Sequence, residues 1–350
     1  MKKVLIYNMS LARGGAERVT VYLAEYLVQN GVACDIITER VYDHEYDVPN
    51  GVNRICLSRG NYFSKVRELR KLIKQSGADV LLVMAVPNCI YASLAALGLK
   101  IKVVVSERND PANFLGKTAV KHLSRFLMKF AHGFVFQTND AKAYYAKKIR
   151  GRGTVIPNPL FTDSLPPAYK GEREKNIVSA GRLASQKNQK ILIDAFSVFS
   201  KAHPDFTLTI YGEGALRGAL EDQVRELGLD GKVFLPGNVS DLLQRTKNAS
   251  AFVMSSDFEG MPNALIEAMA IGLPCISTDC PCGGPGELIE NGENGLLVPV
   301  GDATALSDAM KKLIDDDQLS EKLQKNAPSI RERLDSDIIG KAWLDYLENT

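Results

Sequence analysis

Residues 250–269 read SAFVMSSDFEGMPNALIEAM. An apolar run gives way to serines and an aspartate. Glu259 then stands beside Gly260, Pro262 follows, and a second apolar run carries a single acid, Glu267. The pattern predicts a strand, a glycine-bearing turn and a helix with Pro262 at its first position, where the N–H that proline lacks would have no helical partner anyway. Two readings of the acids stand side by side. Backbone N–H groups at a helix start carry partial positive charge, so acids are favoured there without any ligand. The same N–H groups hold phosphate, and then the carboxylates bracket the rest of a ligand. Glu267, about one and a half turns into the helix, is able to accept two hydroxyls at once.

The strand–turn–helix unit repeats in both directions. VLIYNM, VACDIIT, ADVLLVMA, KVVVSE, GFVFQT and GTVIPNP read as strands, separated by helical segments such as AERVTVYLAEYLVQN and FSKVRELRKLIKQ. The alternation restarts at KNIVSAGRL and runs through FTLTIYGEG, KVFLPGNV, SAFVMSS, PCISTD and GLLVPV. Strands alternating with helices predict βαβ units and parallel sheets. Two such domains in tandem are expected: 1–160, and 176–333 after a proline-rich linker at 161–175. A last helix within 334–350 is expected to pack back toward the first domain. A chain of 350 residues suits two cores better than one.

Composition narrows the classes. The 45% hydrophobic and 24% charged residues are those of a globular protein. The longest apolar stretch, Leu81 to Leu99, is split by Pro87 and Asn88, so it reads as strand, loop and helix rather than a membrane span. The apolar run after Lys2 and Lys3 is shorter than a secretory signal needs. Six scattered cysteines predict reduced thiols and a cytoplasmic protein. Cys280-Pro-Cys282 has no second ligand pair, so no metal is expected. The net charge of +2 conceals a split. Residues 1–160 hold 24 Lys and Arg against 12 Asp and Glu, and the remainder holds 19 against 29. Different partners for the two halves, or surface drift, both account for it.

Ligands of open parallel sheets bind at the turns after the strands. After the first strand, Gly14 and Gly15 precede a helix, either to let a backbone N–H approach an anion or simply to start the helix. YGEGALRG has Arg217 where G-x-G-x-x-G requires its third glycine, which disfavours a nicotinamide dinucleotide. GRLASQKNQK places Arg182 and Lys187 beside a helix start, as a diphosphate clamp or as a solvated loop.

Glu259 to Glu267, E-G-x-P-x-x-x-x-E, resembles the E-x7-E motif of the retaining nucleotide-sugar glycosyltransferases of family four, which have the GT-B fold. RGGAERV, VIPNP, GRL with its following lysine, LPGNVSD and GLLVPVGD extend the resemblance over nearly the whole chain. SERNDP and TDCPCGGPGELI resemble the branch that builds bacterial surface polysaccharides and lipid-linked oligosaccharides. The resemblance implies an α/β GT-B architecture, two Rossmann-like parallel-sheet domains facing a central cleft. It implies that Glu267 holds the donor ribose, and that Arg182 and Lys187 neutralise the diphosphate leaving group in place of a metal. It also implies phosphate-binding N–H groups at Gly15, Ala264 and Leu265, and a nucleobase against Gly237, Asn238 and Val239. Glu259, with the backbone of Gly260, Met261, Pro262 and Asn263, would hold the transferred sugar and shield its developing positive charge. The implied chemistry is front-face transfer, so Glu259 is not assigned as a nucleophile. One residue departs from the pattern. Relatives often read S-E-H where this chain reads SERND, and Arg108 cannot serve as a base near neutral pH. Binding of the sugar or an acceptor phosphate, and a structural salt link to Glu107, are the open roles.

The expectation is therefore a retaining transferase moving a hexose or N-acetylhexosamine from a UDP-sugar to an undecaprenyl-pyrophosphate-linked saccharide acceptor. No cofactor, metal or nucleic acid is expected. A nucleotide-sugar epimerase on the same fold and a non-catalytic nucleotide-sugar sensor are the alternatives. The helix KTAVKHLSRFLMKFA carries Lys117, Lys121, Arg125 and Lys129 at four-residue steps beside Val120, Leu123, Phe126, Leu127 and Phe130. Its apolar stripe is expected to be mostly buried on the sheet. The cations suit an anionic surface on the inner face of the cytoplasmic membrane.

Overall fold

The short apolar runs become the strands of two fully parallel sheets in a computed structural model that describes residues 1–58, 60–113, 118–162 and 165–350. The chain divides into two compact units, Met1–Pro159 with Ser336–Thr350, and Leu160–Asp335.

The first unit holds β1 (Lys3–Asn8), β2 (Ala33–Thr38), β3 (Asn53–Cys56), β4 (Val80–Met84), β5 (Lys102–Ser106), β6 (Gly133–Phe136) and β7 (Gly153–Val155), in the order β3-β2-β1-β4-β5-β6-β7. The second holds β8 (Glu174–Ala180), β9 (Thr207–Tyr211), β10 (Val233–Gly237), β11 (Ala249–Met254), β12 (Cys275–Thr278) and β13 (Leu296–Val298), in the order β10-β9-β8-β11-β12-β13. Both are doubly wound α/β sheets. Every residue of β4 and β11 is buried, as expected of strands covered on both faces. Strand order reverses between β1 and β4 in one sheet and between β8 and β11 in the other, which puts one ligand-binding switch point in each.

Four helices matter for the first unit: α1 (Gly15–Gln29), α2 (Tyr62–Ser76), α3 (Cys89–Ala96) and α4 (Thr118–Met128). The last helix, Ser336–Asn349, also belongs to this unit. The Tyr22 hydroxyl donates to the Ser336 carbonyl, and Gly340 lies against the Tyr22 and Tyr26 rings where a Cβ would not fit. Trp343 is fully buried there. The core of the second unit gathers Ile177, Leu192, Phe196, Phe199, Leu208 and Val253 between the sheet and its helices.

Three local expectations need correction. β3 was not anticipated: NRIC holds only two apolar residues, and its side chains are exposed or half-buried because it is an edge strand. GTVIPNP shortens to a three-residue strand, since Pro157 and Pro159 cannot donate to a ladder. Pro262 is not the first helical residue. It adopts an extended conformation (φ −81°, ψ 103°) and caps a helix that begins at Asn263.

Candidate functional site

The switch point of the second sheet lies between the turn after β8, residues 181–189, and the turn after β11, residues 255–263. Side chains and backbone lock these turns together. Asn188 Nδ2 donates to Asp257 Oδ1 at 2.7 Å, the Asp257 N–H to the Gln186 carbonyl at 2.9 Å, and Gln186 Nε2 to the Phe258 carbonyl at 2.9 Å. Ser255 Oγ lies 3.1 and 3.0 Å from the carbonyls of Lys187 and Asn188. Asn188 takes a left-handed conformation (φ 44°) to turn the chain into the helix Gln189–Ala202.

Two of the expected site residues meet across these turns. Lys187 Nζ donates to Glu259 Oε1 at 2.5 Å, and Ser256 Oγ donates to the same oxygen at 2.7 Å. Glu259 is 6% exposed, and the Lys187 side chain is 21% exposed. A buried carboxylate facing an ammonium is a prepared charge pair: an incoming anion competes for the lysine, and positive charge growing on a ligand is answered by the glutamate.

A third segment holds the Glu259 backbone. The Glu259 N–H donates to the Pro281 carbonyl at 2.7 Å, and the Cys282 N–H returns to the Glu259 carbonyl at 2.9 Å. Gly284 packs on the Gly260 carbonyl oxygen so closely that a Cβ would overlap it. This is a backbone reason for TDCPCGGPG. Among the described residues no group of His, Cys, Asp and Glu is placed to hold a metal. Cys280 and Cys282 are buried, and burial pushes the Cys280 thiol up to about 12.

The helix Asn263–Ala270 makes its first internal bond from the Ile266 N–H to the Pro262 carbonyl at 3.2 Å. The N–H groups of Ala264 and Leu265 therefore stand outside its ladder. Leu265 is buried, and Ala264 and Glu267 are half-buried. Met261 and Pro262 are buried and Asn263 is half-buried. Arg182 is exposed at the end of β8. Gly237 ends β10 in a left-handed conformation (φ 86°) against Glu213, whose carboxylate holds Arg217 with contacts of 2.6 and 2.9 Å. Asn238 beyond it is exposed. Gly212 and Gly214, the partial dinucleotide fingerprint, press on the carbonyls of Gly181 and Leu183 where no Cβ would fit. They are packing glycines that align the β9 turn with the β8 turn.

Gly14, Gly15 and Arg108 belong to the first unit. Gly14 caps α1, and a Cβ there would come within 2.5 Å of a Glu17 carboxylate oxygen that folds over the helix start. Gly15 is exposed at the first helical position. Arg108 follows β5 and is 7% exposed. The salt link considered for Glu107 and Arg108 does not form. Glu107 Oε2 accepts from the Tyr145 hydroxyl at 2.6 Å, and Oε1 accepts from the backbone N–H groups of Arg108 and Asn109 at 3.1 and 3.2 Å. The Arg108 guanidinium donates instead to Asn158 Oδ1. Burial lifts the Glu107 carboxyl to about 7 against the pull of these hydrogen bonds, and lowers Arg108 to about 10. From the sequence no role is assigned to Ser256, Asn158, Gln137 or Tyr145. Each matters through a partner that only the fold supplies.

α4 also differs from expectation. Leu123, Phe126 and Phe130 are 45, 54 and 62% exposed, while Ser124 and Met128 face inward. Lys121 Nζ donates to the Ala112 carbonyl at 2.9 Å, and Arg125 donates to the Pro111 carbonyl at 3.2 Å and stacks on Tyr144. Lys129 lies over the Phe126 ring at 5.6 Å. Lys117 lies outside the described residues. No helix among them is long and apolar enough to cross a membrane.

Comparison with known proteins gives consistent results. A model of the Glycosyltransferase Family 4 matches residues 13–164, and one of the Glycosyl transferases group 1 matches residues 164–330. An uncharacterized glycosyltransferase of Haemophilus influenzae is 28% identical over 91% of this chain and 92% of its own. The GalNAc-α-(1→4)-GalNAc-α-(1→3)-diNAcBac-PP-undecaprenol α-1,4-N-acetyl-D-galactosaminyltransferase of Campylobacter jejuni is 27% identical over 99% of this chain and 98% of its own. The crystal structure of Anabaena Alr3699/HepE in complex with UDP superposes over all of both chains with a TM-score of 0.83 at 19% identity.

Proposed function

Because the chain belongs to the family four glycosyltransferases, with the GT-B fold, we propose that it moves a hexose or N-acetylhexosamine from a UDP-sugar, with retention, to a saccharide linked to undecaprenyl pyrophosphate. The observation that carries this reading is the Lys187–Glu259 pair at the switch point of the second sheet. The acceptor class is taken from the undecaprenol-linked substrate in the name of the Campylobacter relative, and uridine from the UDP in the Anabaena complex.

In this reading Lys187 and Arg182 receive the diphosphate of the leaving group. The N–H groups of Ala264 and Leu265 add partial positive charge. Glu267 accepts the ribose hydroxyls, and Gly237 and Asn238 lie against the base. As the diphosphate draws Lys187 away, Glu259 is released to face the anomeric carbon, where positive charge grows during bond cleavage. Gly260, Met261, Pro262 and Asn263 hold the sugar beside it. The two cations and the helix start take the charge that a divalent metal would otherwise balance, so no metal is required. The acceptor hydroxyl gives its proton to the departing phosphate. Exposed Leu123, Phe126 and Phe130 beside Lys121, Arg125 and Lys129 form a surface suited to the anionic inner face of the cytoplasmic membrane, where such an acceptor resides.

The test is incubation of the full chain with UDP-sugars in the presence and absence of a polyprenyl-pyrophosphate-linked saccharide. UDP release that depends on the acceptor is expected. UDP released equally without acceptor, or consumption of donor to an epimer, would reject the reading.

A further inference from the structure

The Arg108 guanidinium is buried and short of partners. It stands at the carboxyl end of β5, on the edge where sheets of this kind bind ligands. Its Nη2 group donates to Asn158 Oδ1, while its Nε and Nη1 groups are buried and have no partner. Asn158 is uncharged and already accepts from Gln137 Nε2 at 2.7 Å. Gln137 Oε1 is itself buried without a partner. The neighbouring acids are committed elsewhere. Glu107 is held by Tyr145 and the backbone, and Asp110 by the Ala112 N–H at 2.8 Å and Asn113 Nδ2 at 2.6 Å. Glu107 and Glu17 act on the guanidinium from a distance, and Nε and Nη1 meet no carboxylate among the described residues.

Buried charges in folded proteins are paired and hydrogen-bonded, because leaving water uncompensated is costly. A guanidinium fixed by one amide through Nη2, with the Nε–H and Nη1–H donors on either side of it unpaired, is a charged donor set that an oxyanion would complete. We propose that Arg108, positioned by Asn158 and Gln137, is the receptor for a compact oxyanion carried by the substrate: a phosphate of the lipid-pyrophosphate acceptor or a carboxylate of a saccharide. The proposal takes the identity of that substrate from the glycosyltransferase reading. The anion-binding step itself stands on the geometry of the first unit alone.

Calorimetric titration of the full chain, saturated with UDP, against inorganic pyrophosphate and against glucuronate reads this subsite directly. At least one probe should bind the wild-type chain. It should bind at least tenfold more weakly to Arg108→Gln and to Asn158→Asp, whose new carboxylate supplies the missing partner from within. Without ligand, both variants should melt at or above the wild-type temperature, since Arg108→Gln removes the unpaired buried charge and Asn158→Asp pairs it. Pyrophosphate as the tighter probe assigns the anion to the acceptor phosphate, and glucuronate as the tighter probe assigns it to a saccharide carboxylate. No binding of either probe to the wild-type chain, or affinities unchanged in both variants, overturns the proposal. Failure of UDP itself to bind would count against the proposed donor and not against Arg108, which the same titrations without UDP then decide.

Discussion

Replacing Lys187 by Met removes the ammonium that pairs with Glu259 and leaves a carboxylate that is 6% exposed beside the Ser256 hydroxyl. Breaking a fully buried pair costs about 3–5 kcal/mol, because the remaining charge is stranded. Lys187 is one-fifth exposed, so water already screens part of the interaction. The expected cost falls to about 2–3 kcal/mol. The reciprocal change, Glu259→Gln, keeps an acceptor for Ser256 and leaves an ammonium whose flexible stem reaches solvent, at about 1 kcal/mol. The two substitutions should therefore be unequal, and the double variant should lose less than their sum by about 1–2 kcal/mol. Melting of the second unit, followed by calorimetry, should drop by about 4–12 °C for Lys187→Met and about 2–4 °C for Glu259→Gln. Equal losses, or strict additivity in the double variant, would refute the claim that these side chains are coupled in the folded protein.

Four further outcomes follow from the same geometry. Glu267→Ala should weaken UDP binding by about 2 kcal/mol, close to thirtyfold, since a ribose contact exists with or without the sugar; calorimetry showing unchanged affinity removes that role. Gly284→Ala forces a Cβ into the Gly260 carbonyl and should destabilise by about 1–3 kcal/mol while misplacing Glu259, so turnover falls more than UDP affinity; normal turnover would show that the loop behind Glu259 is not a support. Glu107, raised to about 7 from a normal carboxyl value, binds more protons folded than unfolded between roughly pH 4.5 and 7, so stability falls as pH rises through that window, by roughly 3 kcal/mol in total; Glu107→Gln should flatten the first unit's melting profile there, and an unchanged slope would place the titration elsewhere. Liposome co-sedimentation should require anionic lipid, weaken with salt and fall when Phe126 and Phe130 become Ser; equal binding to neutral and anionic vesicles, or none, would remove the membrane surface.

The doubly wound architecture was legible because β1, β4 and β11 are buried almost along their whole length and so read as apolar runs between helices of 3.6 periodicity. An edge strand such as β3 has no such signature. The motif at Glu259–Glu267 was legible as two acids flanking a helix start, but its neighbours were not. Lys187 lies 72 residues from Glu259, and their contact exists only because β8 and β11 are adjacent in the sheet. The glycines at 212 and 214 resembled a phosphate loop in spacing, whereas their conformations answer to the backbone of residues 181–183. The apolar periodicity of α4 alone predicts an inward stripe. Periodicity gives a face, not the side on which the face lies, and here Ser124 and Met128 take the inner position.

The most direct measurement is the anomeric configuration of the glycan product. The full chain is incubated with an α-linked UDP-sugar and a polyprenyl-pyrophosphate-linked saccharide in excess EDTA, and the new linkage is read from the one-bond and vicinal couplings of its anomeric proton. Retention without a metal requires an α-linked product formed in EDTA, with turnover lost in Glu259→Gln while UDP affinity stays within a few-fold of the wild-type chain. A β-linked product, or an α-linked product formed at undiminished rate by Glu259→Gln, would contradict it.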